Sequence, residues 1–275
     1  VEAKTGWLAD RWRKNEKPTA EAASYDKYKG DRNHAFWYFD KEMADATEKY
    51  YANERGKTEQ YIGFEQKGKL ITFNPKSHVR MFPSFQPEAD GVTFHLKAVY
   101  TDTLRNEYSK EHSTHPIRMS RICGPVEVVN DTTFTVRFYR MGLDNPKRTG
   151  GICLMASVKQ DHKYRSAVQQ VEIRIPYRNK EGIPQRIIFP KLSDVKASVK
   201  EISLNGTADS GLPVYYYVKE GPAEIKGDKL VLTKIPPRAK FPVKVTVVAW
   251  QYGRSGEPKV QTAEAVEQSF YITAR

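Results

Sequence analysis

The sequence predicts a mainly β protein: two β-sandwich lobes behind a short helical N-terminal region. Three observations carry this. Apolar residues alternate at a period near two over most of the chain beyond about residue 61. Turn residues such as Lys67-Gly68, Asp90-Gly91, Asn130-Asp131 and Gly221-Pro222 divide those stretches at short spacing, with no helical pattern between them. The strongest 3.6-residue periodicity lies near the amino end. With 275 residues, 39% of them hydrophobic and 12% aromatic, the chain can bury a substantial core and is not a disordered sequence. No apolar run approaches the roughly 18 residues of a membrane helix.

The first region, residues 1–64, is expected to be helical and aromatic and to pack on the first sandwich. Trp7, Leu8 and Trp12 form a short amphipathic stretch ending near Pro18, and a Lys-rich connector leads to Phe36-Trp37-Tyr38-Phe39. Asp40 is placed to cap a helix, because its carboxylate can accept the open amide hydrogens of the next turn. Met43, Ala46, Thr47, Tyr50 and Tyr51 then share a face, and Gly56 stops the run, giving a helix over about 41–55.

The second region, 65–192, is expected to be a β-sandwich. Its predicted strands are Lys69–Phe73, Val92–Tyr100, Thr133–Tyr139, Ile152–Val158, Val168–Ile175 and Arg186–Phe189. The third, 195–275, has short strands at 199–204, 214–218, 223–225, 230–233, 243–250 and 266–272. About 80 residues with this rhythm suit one more sandwich.

Within that third region a resemblance enters. Ser203-Leu204-Asn205-Gly206 leads to Ser210-Gly211-Leu212-Pro213-Val214, then Tyr216, Gly221-Pro222-Ala223, Gly227, Leu230-Val231-Leu232-Thr233 and finally Gln268-Ser269-Phe270. The pattern resembles the bacterial immunoglobulin-like repeats of secreted and surface proteins. It covers about residues 199–273 and departs from them in the longer 236–241 and 251–265 loops. The resemblance implies an immunoglobulin-like sandwich and export to the periplasm, cell surface or medium, but no reaction. A chain opening on Val1 without a charged-then-apolar leader reads as mature or trimmed, or equally as the tail of a longer upstream region.

The net charge is +12, divided as +4 from Lys191 onward and +8 before it, with no polybasic tail. That balance suits anionic partners, and it also suits simple solubility. The two cysteines, Cys123 and Cys153, match no zinc spacing; one disulfide or two buried thiols both fit. Glu111-His112-Ser113-Thr114-His115 is followed by Pro116, which prevents a helix from setting both histidines on one face. No metal or cofactor is therefore expected, and no phosphate loop, nucleophile elbow or helix-turn-helix is present.

Two candidate binding groups remain. Trp37 and Tyr38 could offer flat rings to sugar faces, although a core role is the weightier reading. Arg137, Arg140, Lys147 and Arg148 surround the 142–151 loop, and Arg forks match carboxylate or sulfate geometry. A solvated charged loop is the plainer alternative there. Trp250 and Tyr252 are expected to pack, with one of them exposed at most. The functional expectation is a secreted bacterial, non-catalytic binding protein for polysaccharide, anionic by preference, with no specific nucleic acid and no membrane span. The alternative is the accessory C-terminal part of a carbohydrate-active hydrolase or lyase whose catalytic region lies upstream.

Overall fold

The turn chemistry anticipated from the sequence is what starts the strands. The computed structural model describes residues 56–71, 81–102, 107–139 and 150–274. Lys67 and Gly68 both take positive φ, 49° and 73°, the backbone that a two-residue hairpin needs to match strand twist. Asp90 Oδ1 accepts the amides of Val92 and Thr93 at 3.0 and 2.8 Å, and Asn130 Oδ1 accepts those of Thr132 and Thr133 at 2.9 Å each. Each side chain stands in for a backbone acceptor and launches the strand that follows.

The first sandwich contains β1 (Tyr61–Gln66), β2 (Lys69–Ile71), β3 (Thr93–His95), β4 (Lys97–Asp102), β5 (Glu107–Tyr108), β6 (Arg118–Cys123), β7 (Val126–Val128), β8 (Thr133–Val136), β9 (Gly151–Val158) and β10 (Ala167–Arg174). They pair as β2-β1-β4-β5, β3-β8-β7 and β10-β9-β6. The run expected over 92–100 is broken at Leu96, so that β3 pairs with β8 while β4 pairs with β1. Along β9, Ile152, Leu154, Ala156 and Val158 point inward and the residues between them outward. They meet Phe64, Phe94, Phe134 and Ile173 in one core. Residues 81–84 run beside β10 in parallel, Met81 opposite Val171 and Ser84 opposite Arg174.

The second sandwich contains β11 (Ile187–Ile188), β12 (Val195–Lys196), β13 (Glu201–Ser203), β14 (Thr207–Ala208), β15 (Tyr215–Glu220), β16 (Ala223–Lys226), β17 (Lys229–Leu232), β18 (Val243–Trp250) and β19 (Val266–Thr273). One sheet runs β12-β19-β18-β15, with β12 parallel to β19; the other runs β13-β17-β16. This is the order of an immunoglobulin sandwich, strands C, F and G facing B, E and D. The first sandwich repeats it: β6-β9-β10 corresponds to β15-β18-β19, and 81–84 lies along β10 as β12 lies along β19. The predicted 186–189 strand survives as β11, which pairs with β14 of the second sandwich, and Ile187, Phe189 and Leu192 bury in the second core.

The two sandwiches form one compact unit, and β18 is the reason. Val245, Val247 and Ala249 face the second core, whereas Val248 and Trp250 on the opposite side belong to the first. A strand buried on both faces reads as a continuous apolar run, as Val245-Thr246-Val247-Val248-Ala249-Trp250 does. Phe138 meets Trp250 edge-on at 4.8 Å and Tyr252 at 5.7 Å. The Tyr252 hydroxyl donates to the Pro176 carbonyl, and Asn179 Nδ2 donates to the Tyr252 carbonyl at 2.9 Å. A Cβ at Gly91 would stand 2.0 Å from the Gly253 carbonyl oxygen. Only glycine allows that approach at its φ of +77°. Trp250 and Tyr252 are both fully buried, so packing is the role of both.

A second unit comprises 1–59 and 160–166. Among its described residues, Thr58 donates to the Lys163 carbonyl at 2.8 Å, and Arg165 donates back to the Thr58 carbonyl at 2.9 Å. The helix expected over 41–55 lies outside the described residues. No described residue is helical, and no helix long and apolar enough to cross a membrane is present among them.

Candidate functional site

Of the anticipated binding residues, Arg137 is described; Trp37, Tyr38, Arg140, Lys147 and Arg148 lie outside the described residues. Arg137 is held in place. Its Nε donates to Glu127 at 2.9 Å, and its guanidinium lies 6.0 Å from the centre of the Tyr215 ring. Burial pushes the Tyr215 hydroxyl up to about 12, Asp90 adds to the rise, and the Arg137 charge opposes it. Arg118 and Arg121 of β6 are occupied as well: Arg118 reaches Asp131 at 2.8 Å, and Arg121 lies over Tyr139 at 5.1 Å. Asp131 is held below the usual carboxylate range, first by the Met119 amide and then by Arg118.

The histidine-rich loop is a packing element. His112 stacks on Tyr100 with ring centres 4.1 Å apart, and the Tyr100 hydroxyl donates to the His115 carbonyl at 2.7 Å. Among the described residues no three His, Cys, Asp or Glu side chains gather as a metal set.

A cleft of about 680 Å³ opens elsewhere, lined by Phe82, Pro83, Ser84, Phe85, Glu172, Arg174, Pro176 and Ser255. That size lies within the range of small-ligand sites, about 300–1,000 Å³. Three separated pieces of chain build it. Residues 82–85 are fixed beside β10 by the Glu172 amide donating to the Met81 carbonyl at 3.0 Å and by Gln66 Nε2 donating to the Ser84 carbonyl at 2.9 Å. Phe85 turns in against Phe94, edge to face at 5.6 Å, which leaves Phe82 on the outside, 53% exposed. The end of β10 supplies Glu172 and Arg174, and the loop after β18 supplies Ser255.

The charges in the cleft are arranged unequally. The Glu172 side chain is 12% exposed, and Arg174 is 76% exposed. Arg174 Nε donates to Glu172 Oε1 at 3.1 Å, and its guanidinium lies 5.7 Å from the centre of the Phe82 ring. Its two terminal amino groups have no protein partner among the described residues. A buried carboxylate and an aromatic face thus fix the arginine from behind, and its open edge points to solvent. A guanidinium held in this way loses less freedom when it takes a carboxylate or sulfate in two-point contact.

Sequence reasoning did not find this site. Glu172 and Arg174 sat inside an expected strand, and Met81-Phe82-Pro83-Ser84-Phe85-Gln86-Pro87 has two prolines and no regular alternation. The one available signal was a pair of aromatics set among prolines, a composition poor for strand interiors.

No family model and no curated protein matches the sequence. Among solved structures, the chain is similar to human protocadherin-24 EC1-2 at 11% identity and a TM-score of 0.24, over 74% of this chain and 97% of that one. It is similar to Drosophila N-cadherin EC1-3 at 12% identity and a TM-score of 0.25, over 72% and 65%. Mouse cadherin-23 EC22-24 gives 17% identity and a TM-score of 0.24, over 78% and 65%. The fold assignment rests on the strand order described above.

Proposed function

We propose that this is an exported bacterial, non-catalytic binding protein that takes anionic polysaccharide at the Phe82–Arg174 cleft. The observation that carries the reading is the arginine itself: anchored through Nε by Glu172, backed by Phe82, and open along its outer edge. An acidic sugar fits both features, because its carboxylate matches the guanidinium fork while its C–H face settles on an exposed ring. The net charge of +12 adds a long-range attraction for polyanions. The immunoglobulin-like order of both sandwiches agrees with the resemblance that implied export.

Retention of the whole chain on immobilised polygalacturonate, compared with a neutral β-glucan, tests the reading. Stronger retention by the acidic polymer is expected, weakening as salt rises, because exposed charges are screened over about 8 Å at physiological ionic strength. Equal, salt-insensitive retention on both polymers would overturn it.

A further inference from the structure

We infer that Cys123 and Cys153 are a cross-strand disulfide-forming pair that ties the end of β6 to the start of β9. The proposal stands on register and is independent of the ligand. Cys123 of β6 and Cys153 of β9 are directly opposed partners on antiparallel strands. Such partners have Cα atoms about 4.5–5.5 Å apart and side chains on the same face, within the roughly 4.4–6.8 Å that a disulfide spans. The inward residues of β9 are Ile152, Leu154, Ala156 and Val158, so Cys153 lies on the outer face of the sheet. Cys123 is exposed and Cys153 half-buried, and both are thiols in the structure. These are the chain's two cysteines, so no other intramolecular pairing exists.

The backbone around the pair is tightly defined. Arg121 pairs with Leu154 and Cys123 with Cys153, so Ile122 is the extra residue of a bulge. That bulge brings Cys123 back into register opposite Cys153, where a regular ladder would have set Ile122. Immediately after it, Gly124 takes φ +99° and lies so close to β9 that a Cβ there would stand 2.4 Å from the Gly151 carbonyl oxygen. The two strands are therefore pressed together beside the cysteines.

Closure proceeds by exchange with a low-molecular-weight disulfide. The exposed Cys123 thiolate attacks one sulfur of the reagent, forming a mixed disulfide and releasing one thiolate. The Cys153 thiolate then attacks the Cys123 sulfur and expels the second. The cysteine pair loses two electrons and two protons, and the reagent becomes two thiols.

The test uses the whole chain, purified under reductant and moved into an oxidised/reduced glutathione buffer, then alkylated and weighed intact. The expected product is a monomer lighter by two hydrogen atoms, with no alkyl or glutathione adduct, whose proteolytic map joins the two cysteine peptides. Its melting temperature should exceed that of the reduced chain by about 5–10 °C, since the bond restricts a loop of some thirty residues in the unfolded state. Cys123→Ser should abolish the loss of mass and the gain in melting temperature while leaving Cys153 open to alkylation or glutathionylation. Two alkylated cysteines, two glutathione adducts, or a disulfide joining two chains would each overturn the proposal.

Discussion

The two sandwiches share a strand order but differ in what covers them, and the difference separates their roles. The second has its β18 enclosed on both faces, by its own core on one side and by the core of the first sandwich, Phe138 against Trp250, on the other. The first has residues 81–84 bridged to its β10, and the cleft forms beside them. The first lobe therefore supplies most of the cleft wall, and the second contributes Ser255 to it. In the second lobe, Tyr216 pins a connecting segment to the core, its hydroxyl accepting the Gly206 amide at 2.6 Å and donating to the Leu204 carbonyl at 3.3 Å.

The sharpest way to break this arrangement is Trp250→Ala. The residue is fully buried against Phe138 and stacks on Tyr215 at 4.9 Å. Its loss should cost about 3–5 kcal/mol in chemical denaturation. Trp250→Phe should cost much less, because the indole N–H has no hydrogen-bond partner among the described residues. Ile187→Ala comes next, at about 2–3 kcal/mol, since Ile187 is buried in the second core. A cost near zero would mean that Ile187 adds nothing to that core.

The smallest effect is a pH dependence. The Tyr215 hydroxyl is raised from 10.0 to about 12, so its contribution is complete below pH 10 and is lost as pH climbs through 12. Melting temperatures measured over that interval should fall less steeply in Tyr215→Phe than in the parent chain. Identical slopes would mean that this hydroxyl titrates as it does in the unfolded chain.

The same contrast decided how much the sequence disclosed. β18 and β19 were legible because continuous or alternating apolar residues leave no competing pattern, and β15 to β17 because Gly221-Pro222 and Gly227-Asp228 separate them. In the first sandwich the signals were weaker for physical reasons. β6 reads Arg118-Met119-Ser120-Arg121-Ile122-Cys123, with Met119 alone buried and a bulge at Ile122 that breaks the alternation. β1 carries Gly63 in its centre, which leaves room for Thr101 on the neighbouring strand. The cleft was illegible because its walls come from residues 82–85, 172–176 and 255, and no local pattern records that they meet. Burial of Glu172, which fixes Arg174, is a tertiary fact.

The most direct test of the account is calorimetric titration of an oligogalacturonide into the parent chain and into Arg174→Gln, with melting temperatures measured in parallel. A hydrogen bond to a charged group contributes about 1.5–3 kcal/mol, so the substitution should weaken binding by roughly ten- to a hundredfold. Arg174 is itself exposed, but it is the counter-charge of the nearly buried Glu172, so the melting temperature should fall modestly with the chain still folded. Undiminished binding by a stably folded Arg174→Gln chain would contradict the assignment of the site.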